Sequence, residues 1–219
     1  MCKRIVLIGM LVCLAGCNTM AAEPLAKAVQ SQEQSGGTLS AFEVSVPLWQ
    51  PGYTWEFRWE NPQGRGTFVW TMTREEIMDG VAYYVVTSGR QRESYWRKAD
   101  LAFAMDKVQG EVDGRVVPPE LRYVWPLALG RKWEQTFTRE MPRDKQTEEI
   151  ASVCQVEAEE TITVPAGTFR ALKIVCRNQR TGALRYEVWY APEVKNWIRE
   201  HSRFSSGMRA RELINFKVE

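Results

Sequence analysis

One histidine, five cysteines and nine tryptophans are the side chains of this 219-residue chain through which chemistry or recognition would have to run. His201 is the single histidine, so any serine or cysteine nucleophile activated by an imidazole must use it. It stands in Trp197-Ile198-Arg199-Glu200-His201-Ser202-Arg203, a strand-like run with no Gly-x-Ser-x-Gly elbow, and reads as a surface or structural histidine. One imidazole excludes a multi-histidine metal centre. Neither phosphate-binding glycine loop occurs, and Gly64-Arg65-Gly66 suits a hairpin instead. Glu148, Glu149, Glu157, Glu159 and Glu160 form an acidic cluster from which a glycosidase would need a carboxylate pair. Adjacent glutamates on a strand point to opposite faces, so a solvated hairpin with Arg or Lys partners is the better reading. Residues 170–219 carry eleven Lys+Arg against five Glu, with aromatic residues between them. That segment could bind the phosphate of a lipid or polyanion, although neutralising the acidic strand beside it is the simpler use. Among the tryptophans, Trp55, Trp59, Trp70, Trp133 and Trp189 are candidates for a concave face that receives a sugar, acyl chain or peptide. Core and rim packing of a β-sheet is the competing use of the same rings. No residue is assigned as catalytic, as a metal ligand or as a cofactor contact.

Three of the cysteines belong to the N-terminus. Residues 1–17 read MCKRIVLIGMLVCLAGC, with Lys3 and Arg4 ahead of an apolar run from Ile5 to Gly16. That run is too short to cross a bilayer, which takes about 20 residues, and has the layout of an export signal. Leu14-Ala15-Gly16-Cys17 resembles the lipobox of bacterial lipoproteins. The resemblance implies cleavage between Gly16 and Cys17, a signal peptide at 1–16 and lipid on Cys17, with palmitate as one acyl chain. Several acyl chains give stable membrane anchoring. Asn18 rather than Asp follows the cysteine, which implies an outer-membrane lipoprotein facing the periplasm. Loss of Lys3 and Arg4 also removes the net charge of +2 and leaves a neutral chain, with nothing to recruit nucleic acid.

The elements that would position the remaining residues are strands. Residues 17–41 are small and polar and read as a tether behind the lipidated cysteine; the folded part spans 42–219. Tyr53–Glu60 alternates aromatic and polar side chains, a period that only a strand with one buried face uses. Asn61–Gly66 supplies a turn, Phe68, Trp70 and Met72 continue the alternation, and Asp79-Gly80 turns into 81–87. Further strands are expected at 93–98, 121–125, 131–140, 149–164, 168–177, 184–190, 196–203 and 209–218. Closely spaced strands with turn residues between them predict an all-β antiparallel sandwich or curved half-barrel. An internal repeat divides the body into related halves, about 44–117 and 122–219. Pro47-Leu48 with Gly52-Tyr53-Thr54-Trp55 is echoed by Pro126-Leu127 with Gly130-Arg131-Lys132-Trp133. A Gly-led strand (from Gly80, then Gly167) and an aromatic pair (Tyr95-Trp96, then Trp189-Tyr190) follow in the same order.

With three cysteines spent, Cys154 and Cys176 remain, and an oxidising compartment favours a disulfide between them. The turn Val164-Pro165-Ala166-Gly167-Thr168 lies midway, which sets the two opposite each other on paired strands. The same register places Glu157 opposite Lys173 as an opposite-charge pair. Val164-Pro-Ala-Gly-Thr-Phe169, Val188-Trp-Tyr-Ala-Pro192 and the upstream Pro126, Leu127, Gly130 and Trp133 resemble a group of uncharacterised bacterial secreted and lipid-anchored proteins. In such proteins a glycine commonly follows the Trp-Tyr-Ala-Pro stretch; here Glu193-Val194-Lys195-Asn196-Trp197 stands in its place. The resemblance implies an all-β fold in the cell envelope and carries no catalytic residues.

The chain therefore reads as a lipid-anchored envelope lipoprotein without enzymatic activity, a binding, accessory or structural module. Its partners would be the membrane, through the lipid, and envelope proteins. A carrier of a lipid or glycan on the Trp-rich face, taking a small apolar or glycan ligand, is the alternative, and a cryptic hydrolase the third reading.

Overall fold

In the computed structural model the described residues are 42–89, 91–204 and 207–219; Gly16, Cys17 and the tether at 17–41 lie outside them. Twelve antiparallel strands follow one another in the described residues: β1 (Thr54–Asn61), β2 (Gly64–Met78), β3 (Val81–Ser88), β4 (Arg92–Arg97), β5 (Phe103–Val108), β6 (Glu111–Glu120), β7 (Lys132–Met141), β8 (Gln146–Val164), β9 (Gly167–Asn178), β10 (Leu184–Ala191), β11 (Asn196–Phe204) and β12 (Gly207–Lys217). Each pairs with its neighbour in sequence, and β1 pairs with β12, so the sheet closes into a barrel. This corrects the expected sandwich or half-barrel. Period-2 alternation specifies one buried face and is identical in all three architectures. Closure rests on the β1–β12 register, Trp55 opposite Phe216 and Trp59 opposite Arg211, which removes both sheet edges.

Two further expectations change. Residues 121–125 are not a strand, while 103–108 and 111–120 are. The turn joining β5 to β6 is Gln109-Gly110, both at positive φ (55° and 83°), the same mirror-image geometry that Asp79-Gly80 gives the β2–β3 hairpin. Pro118 and Pro119 lack N–H groups, and β6 meets β7 only through Arg115, Val116 and Val117. At the β8–β9 hairpin, Val164 lies opposite Gly167 and Cys154 opposite Cys176. The two cysteines form a disulfide. A β-bulge between Val156 and Ala158 takes up one residue, so Lys173 faces Ala158 and not Glu157. Glu157 ion-pairs with Arg177 at 3.8 Å, and Lys173 with Glu187 at 3.0 Å.

Beyond that bulge the hairpin crosses three other strands. Glu160 accepts the Trp189 indole N–H at 2.8 Å, the Thr163 carbonyl accepts from Arg199 at 2.9 Å, and the Ala166 N–H donates to the Leu213 carbonyl at 3.2 Å. Bulges bend strands and raise their twist, which explains why the departure starts there.

Two loops fill one end of the barrel. Residues 42–53 and 121–131 meet there in a reciprocal Val44–Leu127 bridge. Trp49 donates to the Lys195 carbonyl and Trp125 to the Asp100 carbonyl, both at 2.8 Å. The two six-strand halves repeat this construction. Gly52 donates to Met72, which donates back to Tyr53; Gly130 donates to Val156, which donates back to Arg131. The register shifts fall between Tyr95 and Trp96 in one half and between Trp189 and Tyr190 in the other. Lys195 occupies the left-handed region (φ 57°) in the tight β10–β11 turn, where a glycine would be unstrained. Its ammonium donates to the Tyr53 hydroxyl at 2.9 Å, a contact that glycine could not make.

Candidate functional site

The opposite end of the barrel is open, and a cavity of about 940 Å³ occupies the lumen behind it. Its two flanks differ in chemistry. Trp59, Phe68, Trp70, Trp96 and Phe103, from β1, β2, β4 and β5, form an aromatic flank. Arg139, Arg185, Tyr186, Glu200, Ser202, Arg209 and Arg211, from β7 and β10 to β12, form a charged flank, joined by Glu120 of β6 and by Arg122 from the loop that follows it.

Local backbone explains several of these placements. Trp59 stands opposite Gly66, and a Cβ on that glycine would come within 3.0 Å of the indole nitrogen, so the ring lies flat across the strand only because the side chain is absent. Between Leu184 and Tyr186 the β9–β10 register slips by one residue, and the extra residue is Arg185. The bulge turns its guanidinium inward, where it donates to Ser152 at 3.0 Å and meets Glu120 at 3.4 Å. Trp70 contacts Phe57, Phe68, Trp96 and Trp197 in tilted or edge-on geometry, with centroids 5.6–6.2 Å apart, a herringbone rather than a flat platform.

The two carboxylates are buried, and the charges around them are unbalanced. Glu200, 2% exposed, sits between Arg122 (3.3 Å) and the guanidinium of Arg211. Glu120, 3% exposed, takes Arg185 and, at 3.8 Å, Arg139. Arg209 has no carboxylate partner among the described residues and rests over the Phe204 ring at 4.4 Å. With Arg92 and Arg203 on one side and Asp106, Glu148 and Glu149 on the other, seven guanidiniums face five carboxylates around the cavity, and the deepest pair, Glu120 and Glu200, is outnumbered by the arginines beside it. Burial, reinforced by the nearby Arg122, lowers the pKa of Arg209 and brings that of Arg211 down to about 9. Nearer the mouth, Arg92 bridges Asp106 (3.0 Å) and Asp113 (2.7 Å), and Asp106 also accepts from Ser94. Burial raises the Asp106 carboxyl above its ordinary range against the pull of those two donors.

Of the five tryptophans expected on a ligand face, Trp59 and Trp70 line the cavity. Trp55 and Trp133 belong to the buried core, donating to the carbonyls of Val194 (2.8 Å) and Leu121 (3.1 Å). Trp189 does not line the cavity either; it is buried in the same core cluster, its indole N–H on Glu160 and Lys173 and Arg199 over its ring. Its position corrects the single concave face expected for all five. His201 lies beside it, bonded through Nδ1 to Glu187 at 2.9 Å and edge-on to Trp189. It is therefore remote from Ser94 and the luminal carboxylates. No cluster of metal-ligating side chains occurs among the described residues. Arg170 pairs with Glu159 at 2.5 Å, a cross-strand partner of the kind expected for the acidic cluster, whereas Glu148 and Glu149 reach the cavity rim.

The residues missed in the sequence include Trp96, Phe103, Glu120, Arg122, Arg185, Tyr186, Ser202, Arg209 and Arg211. The basic excess of residues 170–219 is a signal for Arg185, Arg209 and Arg211; which arginines turn inward depends on register and bulges.

The outer wall carries ion pairs along the middle of its strands: Arg58 and Arg199 share Glu212, and Lys173 pairs with Glu187. A bilayer-spanning barrel needs an apolar band there. No helix among the described residues is long and apolar enough to cross a membrane.

Solved structures similar to the chain include the following three. A protein described as exported with a YmcC-like fold, from Bacteroides fragilis NCTC 9343, aligns with a TM-score of 0.48 and 16% identity over 81% of this chain and 99% of that one. A protein described as a lipoprotein, from Parabacteroides distasonis ATCC 8503, aligns at 0.42 and 12% over 80% and 99%. The hypothetical lipoprotein YmcC from Escherichia coli K12 aligns at 0.45 and 11% over 79% and 89%. No protein-family model and no curated protein matches the chain.

Proposed function

We propose that this chain is a lipid-anchored, periplasm-facing outer-membrane lipoprotein that binds a small ligand in its barrel lumen and does not turn it over. The observation that carries the binding role is the one-ended cavity of about 940 Å³ with an aromatic flank. Its volume lies at the upper end of the roughly 300–1,000 Å³ range of single-ligand sites. The anchoring role rests on Leu14-Ala15-Gly16-Cys17 behind a charged and apolar leader. The outer wall, with its ion pairs, suits a domain held in water beside a membrane.

Native mass spectrometry of residues 17–219 carrying Cys17→Ser tests the binding role without detergent. All twelve strands and their closure lie within this span. A retained ligand mass is expected, and a ligand-free protein that also takes up none from an envelope lipid extract refutes the role. For the anchor, radiolabelled palmitate should enter the full chain and not its Cys17→Ser variant; no incorporation into either removes it.

A further inference from the structure

The charged flank contains a row of unpaired donors. Tyr186, Ser202 and Arg209 stand directly opposite one another across β10, β11 and β12. The Tyr186 hydroxyl, the Ser202 hydroxyl and the Arg209 Nε are shielded from bulk water and have no hydrogen-bond partner among the described residues. One step deeper, Glu200 lies opposite Arg211, whose Nε is also unpartnered. A buried donor without an acceptor costs free energy that no group here repays. The excess of guanidiniums over carboxylates around the cavity adds a net positive field. An oxyanion entering the lumen would meet both needs, because hydroxyls and guanidiniums all donate to it.

The other flank limits what carries that anion. Its rings pack tilted or edge-on against one another, so they present hydrocarbon edges more than a continuous plane for stacking. We propose that the row Tyr186–Ser202–Arg209, with Arg211 below it, binds the acid group of a single-chain anionic amphiphile whose hydrocarbon chain lies along Trp59, Phe68, Trp70, Trp96 and Phe103. The acid is a phosphate or a carboxylate. This rests on the binding role proposed above and names its ligand class.

Calorimetric titration of the Cys17→Ser chain, residues 17–219, below micelle-forming concentrations separates the outcomes. The probes are dodecyl phosphate, dodecanoate, dodecanol and inorganic phosphate. Both acids should bind at least about tenfold more tightly than the alcohol. Arg209→Gln removes a guanidinium that pairs with no carboxylate, so the fold should survive. It should weaken both acids by about tenfold and leave dodecanol within about twofold, while Arg209→Lys recovers part of the loss. If Arg209→Gln does not fold, Ser202→Ala tests the same row.

Equal binding of dodecanol and dodecyl phosphate, or no effect of the variants, overturns the anion site and leaves the binding role standing. Inorganic phosphate binding as tightly as dodecyl phosphate overturns the amphiphile. If no chain binds, whatever its head group, this inference falls together with the binding role.

Discussion

Replacing Glu200 by Gln should unfold this barrel more readily than any other single carboxylate change on the charged flank. The carboxylate is 2% exposed and touches two guanidiniums, Arg122 and Arg211, whose side chains are 16% and 15% exposed. Glutamine keeps the shape but removes the charge. Two buried cations then face each other with Glu120 alone to offset them, and Glu120 already serves Arg185 and Arg139. Breaking a buried pair in this way costs about 3–5 kcal/mol, mainly the desolvation of the charge left behind. A reference comes from the same chain. Glu159 pairs with Arg170 at 2.5 Å, but the two side chains are 32% and 53% exposed, so Glu159→Gln should cost less than about 1 kcal/mol. Urea unfolding followed by circular dichroism reads both variants, and the melting temperature of Glu200→Gln should fall by roughly 10 °C. If the two variants lose stability within about 1 kcal/mol of each other, exposure does not decide the worth of these pairs, and the account of the charged flank is wrong.

The disulfide closes a loop with a sequence separation of 22, and its reduction, or Cys154→Ala with Cys176→Ala, should cost about 3 kcal/mol in denaturant unfolding; unchanged stability would show the bulged hairpin holding its register unaided. Alkaline pH should also unfold the protein. Burial raises Tyr123 from 10.0 to about 12, and also raises Tyr186 and Tyr190. Their folded pKa values exceed the unfolded ones, so this stability is intact below pH 10 and is lost as pH rises toward 12. Arg211, lowered to about 9, and Arg209, also lowered, act in the opposite sense but are two groups against three. Absorbance at the tyrosinate band should therefore rise together with loss of circular dichroism; titration of all tyrosines near pH 10 in a folded protein would contradict the burial.

Much of this molecule is written locally. Alternation at Tyr53–Glu60 specifies a strand whose aromatic side is buried, and Trp55 and Phe57 are fully buried. Asp79-Gly80 specifies a two-residue hairpin turn because both residues must adopt positive φ. The turn at Val164–Thr168 sets Cys154 and Cys176 opposite one another, and they are bonded. Even there the local argument was incomplete. The turn centre falls between Pro165 and Ala166, and the bulge beyond Val156 supplies the missing residue of register.

What sequence alone could not supply is whatever depends on closure. The pairing of β1 with β12 joins residues 150 to 163 positions apart, and no periodicity carries that information. Closure also explains why the polar lumen was hidden. Inward positions of a filled core are apolar and betray themselves by alternation, whereas Ser94, Asp106, Glu120, Glu200, Ser202, Arg209 and Arg211 face an unfilled polar cavity and read like surface residues. Their composition was visible as a basic, aromatic C-terminal segment. Only the closed barrel, with the register of β10 to β12 and the bulge at Arg185, decided that these charges meet inside it.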